Sequence, residues 1–266
     1  MTDDTIATSP AYVEGHRLLR GRSVLITAAA GVGIGFAAAK KAIEEGCRAI
    51  MISDIHERRL TEAADRLRAL GHEADVYSHV CNVTKEDEVQ ALVDAAELKL
   101  GGIDVLINNA GLGGFKLVTE MTDEEWGQVL DVTLTGTMRM TRAALKKMIP
   151  RKRGAIVNNA SVLGWRAQKG QSHYAAAKAG VMAFTRCSGV EAAEHGIRIN
   201  AVSPSIAMHE FLKKAAGPGE LEKLMSQEAF GRAAEVWEIA NVMMFLASDY
   251  AGYMVGETVS VSSQRG

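Results

Sequence analysis

Cysteine, proline and aromatic residues are all scarce in this chain of 266 residues, which carries 3 cysteines, 4 prolines and 5% aromatics. The cysteines, Cys47, Cys81 and Cys187, are odd in number, far apart and form no Cys-x-x-Cys pair. That excludes a disulfide framework and leaves reduced, buried thiols of a cytoplasmic protein as the expectation. The histidines hold no His-x-x-x-His pair, and no His/Cys cluster has zinc spacing, so no metal site is expected. Neither sign of charge dominates, at a net −2, and the Lys and Arg residues are scattered without interleaved aromatics. No nucleic-acid partner is expected on that pattern. The acidic start, Met1-Thr-Asp-Asp-Thr5, lacks the basic end and apolar core of a secretory leader. The longest apolar run, Val24 to Ala39, is too short to cross a bilayer and is crowded with glycine, so no membrane partner is expected either.

What remains is an ordinary soluble composition, 47% hydrophobic and 23% charged, long enough for one large α/β domain. Residues 1–20 read as a loosely held arm and residues 21–266 as a single domain. Ser23-Val-Leu-Ile-Thr27 is a buried-strand pattern, and a helix is expected from Phe36 to Glu45, stopped by Gly46. Between them lies the turn Ala28-Ala-Ala30-Gly31-Val-Gly33-Ile34-Gly35. Glycines there permit a tight bend and let a phosphate approach the N–H groups of a helix N-terminus. Ala30, Gly31, Gly33 and Ile34 are the expected cofactor contacts of that turn.

The next strand, Ala49 to Ser53, ends in Asp54, about 20 residues beyond the glycine turn. A carboxylate at that place bonds the adenosine ribose hydroxyls of NAD and repels a 2′-phosphate. Arg58 and Arg59 read as the solvated face of helix 57–70, with NADP the less favoured cofactor. Alternation continues through strand 74–80, Cys81-Asn82-Val83, a helix from a Thr84 cap to Leu100, and strand 103–107 followed by Asn108-Asn109-Ala110-Gly111. Asn109 is expected to brace backbone beside the cofactor. Thr122 caps a long helix expected from Glu124 to Met148, stopped by Pro150. Strands 155–160, 197–202 and 258–261 and a helix over 235–247 follow, with residues 205–230 irregular or weakly helical. Strands alternating with helices mean a doubly wound parallel sheet.

The chemistry concentrates between Ser161 and Lys178. Tyr174 and Lys178 are four apart in an Ala-rich run, so on a helix they share one face. An ammonium beside a phenol favours the phenolate and lowers the tyrosine pKa toward working pH. Ser161, at the end of an upstream strand, faces the same point. A Tyr-x-x-x-Lys pair alone is usually a half-buried tyrosine with a solvated lysine. Here the glycine turn and Ser161 raise it to a polariser of a carbonyl oxygen.

With these residues in place, the chain resembles the short-chain dehydrogenase/reductase family from Gly21 onward. Asn108-Asn-Ala-Gly111, the Ser161, Tyr174 and Lys178 set, and Arg198-Ile-Asn-Ala-Val-Ser-Pro204 match its motifs in order and spacing. The resemblance implies a single-domain Rossmann fold of about seven strands in the order 3-2-1-4-5-6-7, often assembled as a homotetramer. It implies NAD contacts at Asn82, Val83, Asn109, Ala110 and Ala207 besides the turn, Asp54, Tyr174 and Lys178. By this resemblance Tyr174 exchanges the proton, Lys178 lowers its pKa and binds the nicotinamide ribose, and Ser161 positions the substrate oxygen. Thr133 stands where the family has a fourth catalytic residue, an Asn that holds a water. Other departures are Ala28 after Thr27, one extra residue in the turn, Asn82 in place of an Asp, His209 in place of a threonine, and Ser262-Ser-Gln264 in place of Asp-Gly-Gly.

Within the family the chain most resembles actinobacterial reductases of sterol ring catabolism, whose substrates are acyl-CoA thioesters of bicyclic fragments. The alanine-rich turn, the segment Asn158 to Gln168 and the Ser-Ser-Gln-Arg ending carry that likeness. The expected activity is NAD(H)-dependent interconversion of a secondary alcohol and a ketone on a bulky, apolar small molecule. Residues 205–230 are the expected substrate loop. Leu112, Phe115, Leu163, Trp165, Met208, Phe211, Leu212 and Met225 are candidates for an apolar wall, and Arg166, Lys169, Lys213 and Lys214 for phosphate contacts at the rim. Two alternatives stay open: a polyol or sugar dehydrogenase, and an NAD-binding regulatory or scaffold protein with little turnover.

Overall fold

The computed structural model describes residues 8–208 and 219–263. His209, Phe211, Leu212, Lys213, Lys214 and Gln264 lie outside the described residues.

The apolar runs form strands β1 (Ser23–Ile26), β2 (Ala49–Asp54), β3 (Asp75–Val80), β4 (Val105–Asn108), β5 (Gly154–Asn159) and β6 (Ile197–Pro204). Short strands β7 (Ala207–Met208) and β8 (Ala234–Glu235) pair with each other, and β9 (Thr258–Val261) closes the main sheet. The order β3-β2-β1-β4-β5-β6-β9 is the one expected, with every neighbour parallel. Strand order therefore reverses direction between β1 and β4, and ligands of such sheets sit at the carboxyl ends of the strands flanking that point.

Alternation along the strands sends side chains to two cores. Val24, Ile26, Ile50 and Ile52 face one core with α1 (Ile34–Glu44) and α2 (Glu57–Arg68). Leu25, Met51, Leu106 and Ile156 face the other, with α3 (Glu86–Leu100). A long helical stretch follows β4: α4 (Asp123–Leu130), a π-turn (Asp131–Thr135) and α5 (Gly136–Met148). Next come α6 (Ser172–Ala193), α7 (Glu220–Ser226) and α8 (Val236–Ala247).

Three expectations need correction. Residues 8–20 are not loosely held. Leu19 is fully buried, the Tyr12 hydroxyl donates to Glu44, and Glu45 accepts from the backbone N–H groups of His16 and Leu18. Lys41, buried in α1, donates to the Val13 carbonyl, so the arm is tied down by charged groups that a short-range sequence pattern does not pair. Thr84 does not cap α3. Its hydroxyl goes instead to Asn82 Oδ1 at 2.9 Å, and Lys85 holds the N-cap position without a side-chain bond. The long helix after β4 keeps its expected Thr122 cap, in a reciprocal capping box with Glu125, but is interrupted by the π-turn. Arg198 of β6 donates to the carbonyls of Leu246, Ala247, Ser248 and Ala251, and so satisfies the end of α8.

Candidate active site

The carboxyl ends of β1, β2, β4 and β5 meet at one place. Directly after β1, Ala28 takes φ +52°, a left-handed conformation that costs a side chain about 1–2 kcal/mol. Neighbours hold it there. Asn109 Nδ2 donates to the Ala28 carbonyl at 2.9 Å, and the Thr27 hydroxyl accepts from the backbone N–H groups of Asn109 and Ala110 at 3.0 and 3.1 Å. Gly35 packs beneath: a Cβ there would lie 2.3 Å from the Ala28 oxygen and 2.5 Å from Asn109 Nδ2. Asn159 Nδ2 in turn donates to Asn109 Oδ1 at 2.9 Å, so β5 braces β4, which braces the turn. The extra residue in the turn is accommodated by Arg66 of α2. Its guanidinium donates to the Gly31 carbonyl at 2.7 Å and stacks on Phe36 at 4.1 Å.

The first turn of α1 begins after Gly33 and has no side-chain cap. Its N–H groups are thus presented to the site, with Ala30, Gly31 and Ile34 around them. Asp54 closes the far side. Its carboxylate accepts from the N–H groups of Ala30 at 3.2 Å and His56 at 3.1 Å. Burial pushes its pKa up, and the Ala30 N–H, the charge of Arg59 and the Ile55 N–H act against that. Arg58, exposed, pairs with Glu62 at 2.8 Å along the helix, as a solvated face requires. Arg59 differs, since its charge is felt at Asp54.

Ser161, Tyr174 and Lys178 come together as expected. Ser161 follows β5, and its hydroxyl accepts from the Leu163 N–H at 3.2 Å. Tyr174 and Lys178 sit in the first two turns of α6, with Lys178 Nζ 5.5 Å from the Tyr174 ring centroid. Lys178 is buried and donates to the Asn159 carbonyl. The electrostatics differ from the expectation of a phenol lowered by its lysine. Burial pushes the Tyr174 phenol up, and the opposing influence is the Ser161 hydroxyl. Lys178 is itself pushed down by burial, to about 8. The ammonium lies across the ring with its proton given to a backbone carbonyl, so desolvation acts on both groups.

Thr133 lies in the π-turn, fully buried. Such turns recur at functional sites because they swing one residue out of helical register. Its hydroxyl accepts from the Leu112 N–H at 3.0 Å and donates to the Leu112 carbonyl at 3.3 Å. It therefore fastens the segment after Gly111, which passes between Thr133 and Lys178: a Cβ on Gly111 would lie 3.4 Å from Lys178 Nζ and 3.8 Å from the Thr133 hydroxyl. Asn82 accepts from the Thr84 N–H and hydroxyl at 3.0 and 2.9 Å. Val83 is buried against Gly136, where an added Cβ would lie 2.8 Å away.

A cavity of about 720 Å³ opens beside Tyr174 and Ser161. Phe115, Leu163, Arg166 and Lys169 line it as expected, and Ile34 and Ala207 bound it toward the glycine turn. Leu112, Trp165, Met208 and Met225 do not line it, and Trp165 faces solvent. Residues unforeseen on its wall include Gln168, Gln171, Ile206, Leu224, Gln227 and Glu228. Asn159 was likewise missed, although the pair Asn158-Asn159 at a strand end repeats the Asn108-Asn109 pattern and was the available signal.

A family model described as enoyl-(acyl carrier protein) reductase matches residues 28–263. A short chain dehydrogenase from Mycobacterium smegmatis superimposes with a TM-score of 0.88 at 55% identity, over 98% of this chain and 100% of that one. The chain belongs to the short-chain dehydrogenase/reductase family. It is an oxidoreductase of that family, whose members use NAD or NADP. A Mycobacterium tuberculosis relative is 57% identical over 97% of this chain and 98% of its own length. It is named (5R,7aS)-5-hydroxy-7a-methyl-1-oxo-2,3,5,6,7,7a-hexahydro-1H-indene-carboxyl-CoA reductase. This agrees with the sequence likeness to reductases of sterol ring fragments. More distantly, an NAD+-bound xylitol dehydrogenase aligns with a TM-score of 0.85 at 29% identity, covering 92% of this chain and 99% of that one.

The residues present fit a dinucleotide. The helix end without a cap offers donors to a pyrophosphate, and a Cβ at Gly35 would destroy the bend that presents them. Among the described residues no His/Cys/Asp/Glu group could hold a metal ion, and no helix is long and apolar enough to cross a membrane.

Proposed function

We propose that this short-chain dehydrogenase/reductase interconverts a secondary alcohol and a ketone with NAD(H), on a two-ring apolar substrate carried as a CoA thioester. The observation that carries the reading is the meeting of Ser161 and Tyr174 at the wall of a cavity of about 720 Å³, with buried Lys178 Nζ 5.5 Å from the Tyr174 ring centroid. That volume lies in the range of small-molecule sites. The printed substrate of the Mycobacterium tuberculosis relative, a bicyclic CoA ester, supplies the chemical class.

The turn N–H groups from Ala30 to Ile34 hold the pyrophosphate in this reading. Asp54 accepts from the adenosine ribose hydroxyls, Asn82 and Val83 flank the adenine, and Ala110 and Ala207 border the nicotinamide side. Asp54 favours NAD over NADP, because a 2′-phosphate would meet its carboxylate. When bound, the cofactor supplies or accepts the hydride. In reduction, Ser161 and Tyr174 donate hydrogen bonds to the ketone oxygen, and Tyr174 gives the proton to the developing alkoxide. In oxidation, the phenolate takes the alcohol proton first. Lys178 stabilises that phenolate by charge and meets the nicotinamide ribose. Thr133 acts as a positioning residue, through Leu112, rather than as a holder of water. A homotetramer goes with this reading, and light scattering on the purified chain measures it.

A polyol substrate is the second reading. The polar lining of Gln168, Gln171 and Gln227 favours it, as does the xylitol dehydrogenase likeness. One assay separates the readings: NADH and NADPH oxidation with bicyclic ketones, 3-ketoacyl-CoA thioesters and ketoses, comparing wild type with Tyr174→Phe. NADH-dependent turnover of bicyclic ketones, reduced at least 100-fold in the variant, is expected from general acid catalysis. Turnover of ketoses alone would establish the polyol reading. NADH binding without any turnover would leave a regulatory protein.

A further inference from the structure

We propose that Arg166 determines substrate specificity by donating to a second substrate oxygen, remote from the reacting carbonyl, and that Glu228 and Ser263 are the positioning residues that aim it. The proposal rests on the two-ring ketone reading above.

Three segments far apart in sequence meet at this wall of the cavity. Arg166 follows the Ser161 turn, Glu228 follows α7, and Ser263 follows β9. Arg166 and Glu228 both line the cavity. Glu228 is only 4% exposed, and carboxylates are seldom so buried without a charged partner. One of its oxygens accepts from the Ser263 hydroxyl at 3.1 Å. The other faces Arg166 Nη1 at 3.9 Å. The Ser263 carbonyl accepts from the Ala229 N–H at 2.7 Å, which locks the two segments together. In the family's Asp-Gly-Gly ending a glycine stands at this position. Glycine keeps the carbonyl contact but has no hydroxyl for Glu228, so this departure now has a structural role.

At 3.9 Å the guanidinium is held by charge but is beyond hydrogen-bond contact with Glu228. A third of the Arg166 side chain remains exposed. Guanidinium carries five donors in a planar fork. The cavity wall mixes apolar Leu163, Ile206 and Leu224 with polar Gln168, Gln171 and Gln227 and charged Lys169, Lys223, Arg166 and Glu228. A ring hydrocarbon placed there would leave the donors unsatisfied, whereas a carbonyl or carboxyl oxygen would take them. A small number of well-placed polar groups fixes a ligand's orientation in its pocket. Arg166 thus selects for a substrate bearing oxygen at both ends and sets which end reaches Tyr174.

The test uses two matched bicyclic ketones with NADH, one bearing a second ring carbonyl and one a methylene at that place. Wild type should prefer the diketone in kcat/KM. Arg166→Met should lower that preference about 10- to 100-fold, chiefly through KM, the loss expected for a hydrogen bond from a charged group. Glu228→Gln and Ser263→Gly should lower it in the same sense by less. An unchanged preference in Arg166→Met would overturn the proposal. So would equal losses on both ketones, which would make the contact a structural latch only. If wild type reduces neither ketone, the reductase reading itself fails. Calorimetric binding of the two ketones to the NADH-loaded protein then decides Arg166 by the same preference.

Discussion

Asn109→Ala should weaken NADH binding without unfolding the domain, and Ala28→Gly should restore it. The substitution removes two side-chain hydrogen bonds of 2.9 Å, to the Ala28 carbonyl and from Asn159. At about 1 kcal/mol net each, that is roughly 2 kcal/mol of support for the turn. Ala28, at φ +52°, needs about 1–2 kcal/mol to stay left-handed. The support and the strain are of equal size, so the variant turn should relax toward an ordinary conformation and lose its alignment with α1. The expected fall in NADH affinity is about 10- to 30-fold, the equivalent of 1.4–2 kcal/mol. The backbone bonds from Asn109 and Ala110 to the Thr27 hydroxyl survive, so the strand end stays in place. Glycine occupies the left-handed region without strain, so Ala28→Gly in the Asn109→Ala background should recover most of the affinity. Fluorescence titration of NADH against the wild type, both single variants and the double variant measures the coupling. Additive effects of the two substitutions would refute the claim that Asn109 works by holding Ala28.

Two further outcomes follow from the charges. Asp54→Ala should weaken NAD binding more than NADP binding, since it removes both the ribose acceptor and the charge that opposes a 2′-phosphate; equal losses in paired titrations would count against that role. Lys178, pushed down from 10.5 to about 8 by burial, is deprotonated in the fold at a pH where the unfolded chain still holds the proton. Between pH 8 and 10.5 the unfolded state binds more protons, so this group makes stability rise with pH in that window. From pH 7.5 to 9.5 the wild type should gain about 2 kcal/mol relative to Lys178→Met in urea unfolding, and a pH-independent difference would show that the ammonium is not desolvated.

Much of the site was legible because its signals are local. The strand, glycine turn and helix around Gly33 and the carboxylate ending β2 lie within one βαβ unit, and the four-residue spacing of Tyr174 and Lys178 lies within one helix. Less was legible where partners lie far apart along the chain. The 8–20 arm reads as loose because Lys41 lies inside α1 and Glu45 at its end, and nothing in their own neighbourhood says that they hold backbone groups about 30 residues earlier. Thr84 looked like a cap because Ser and Thr are favoured there, but the Asn82 carboxamide competes for its hydroxyl at shorter range. The cavity wall was half foreseen. Met and Trp positions read from hydrophobicity turned away from it, while Glu228 enters it only because Ser263 and Arg166 arrive from elsewhere.

The same long-range burial sets the pKa of the tyrosine. Spacing places an ammonium near a phenol and implies a lowered phenol pKa. Spacing says nothing about how dry the place is. Here the walls that bury Lys178, β5 and the Gly111 segment held by Thr133, bring both groups out of water together. Desolvation disfavours phenolate and ammonium alike, raising the one and lowering the other. A phenol kept protonated is a proton donor, the form that ketone reduction requires. Proton abstraction from an alcohol would draw on the Ser161 hydroxyl and on whatever positive charge Lys178 retains. The Tyr174 phenol therefore stands as the proton donor when a ketone is reduced, and must give up its proton before it can act on an alcohol.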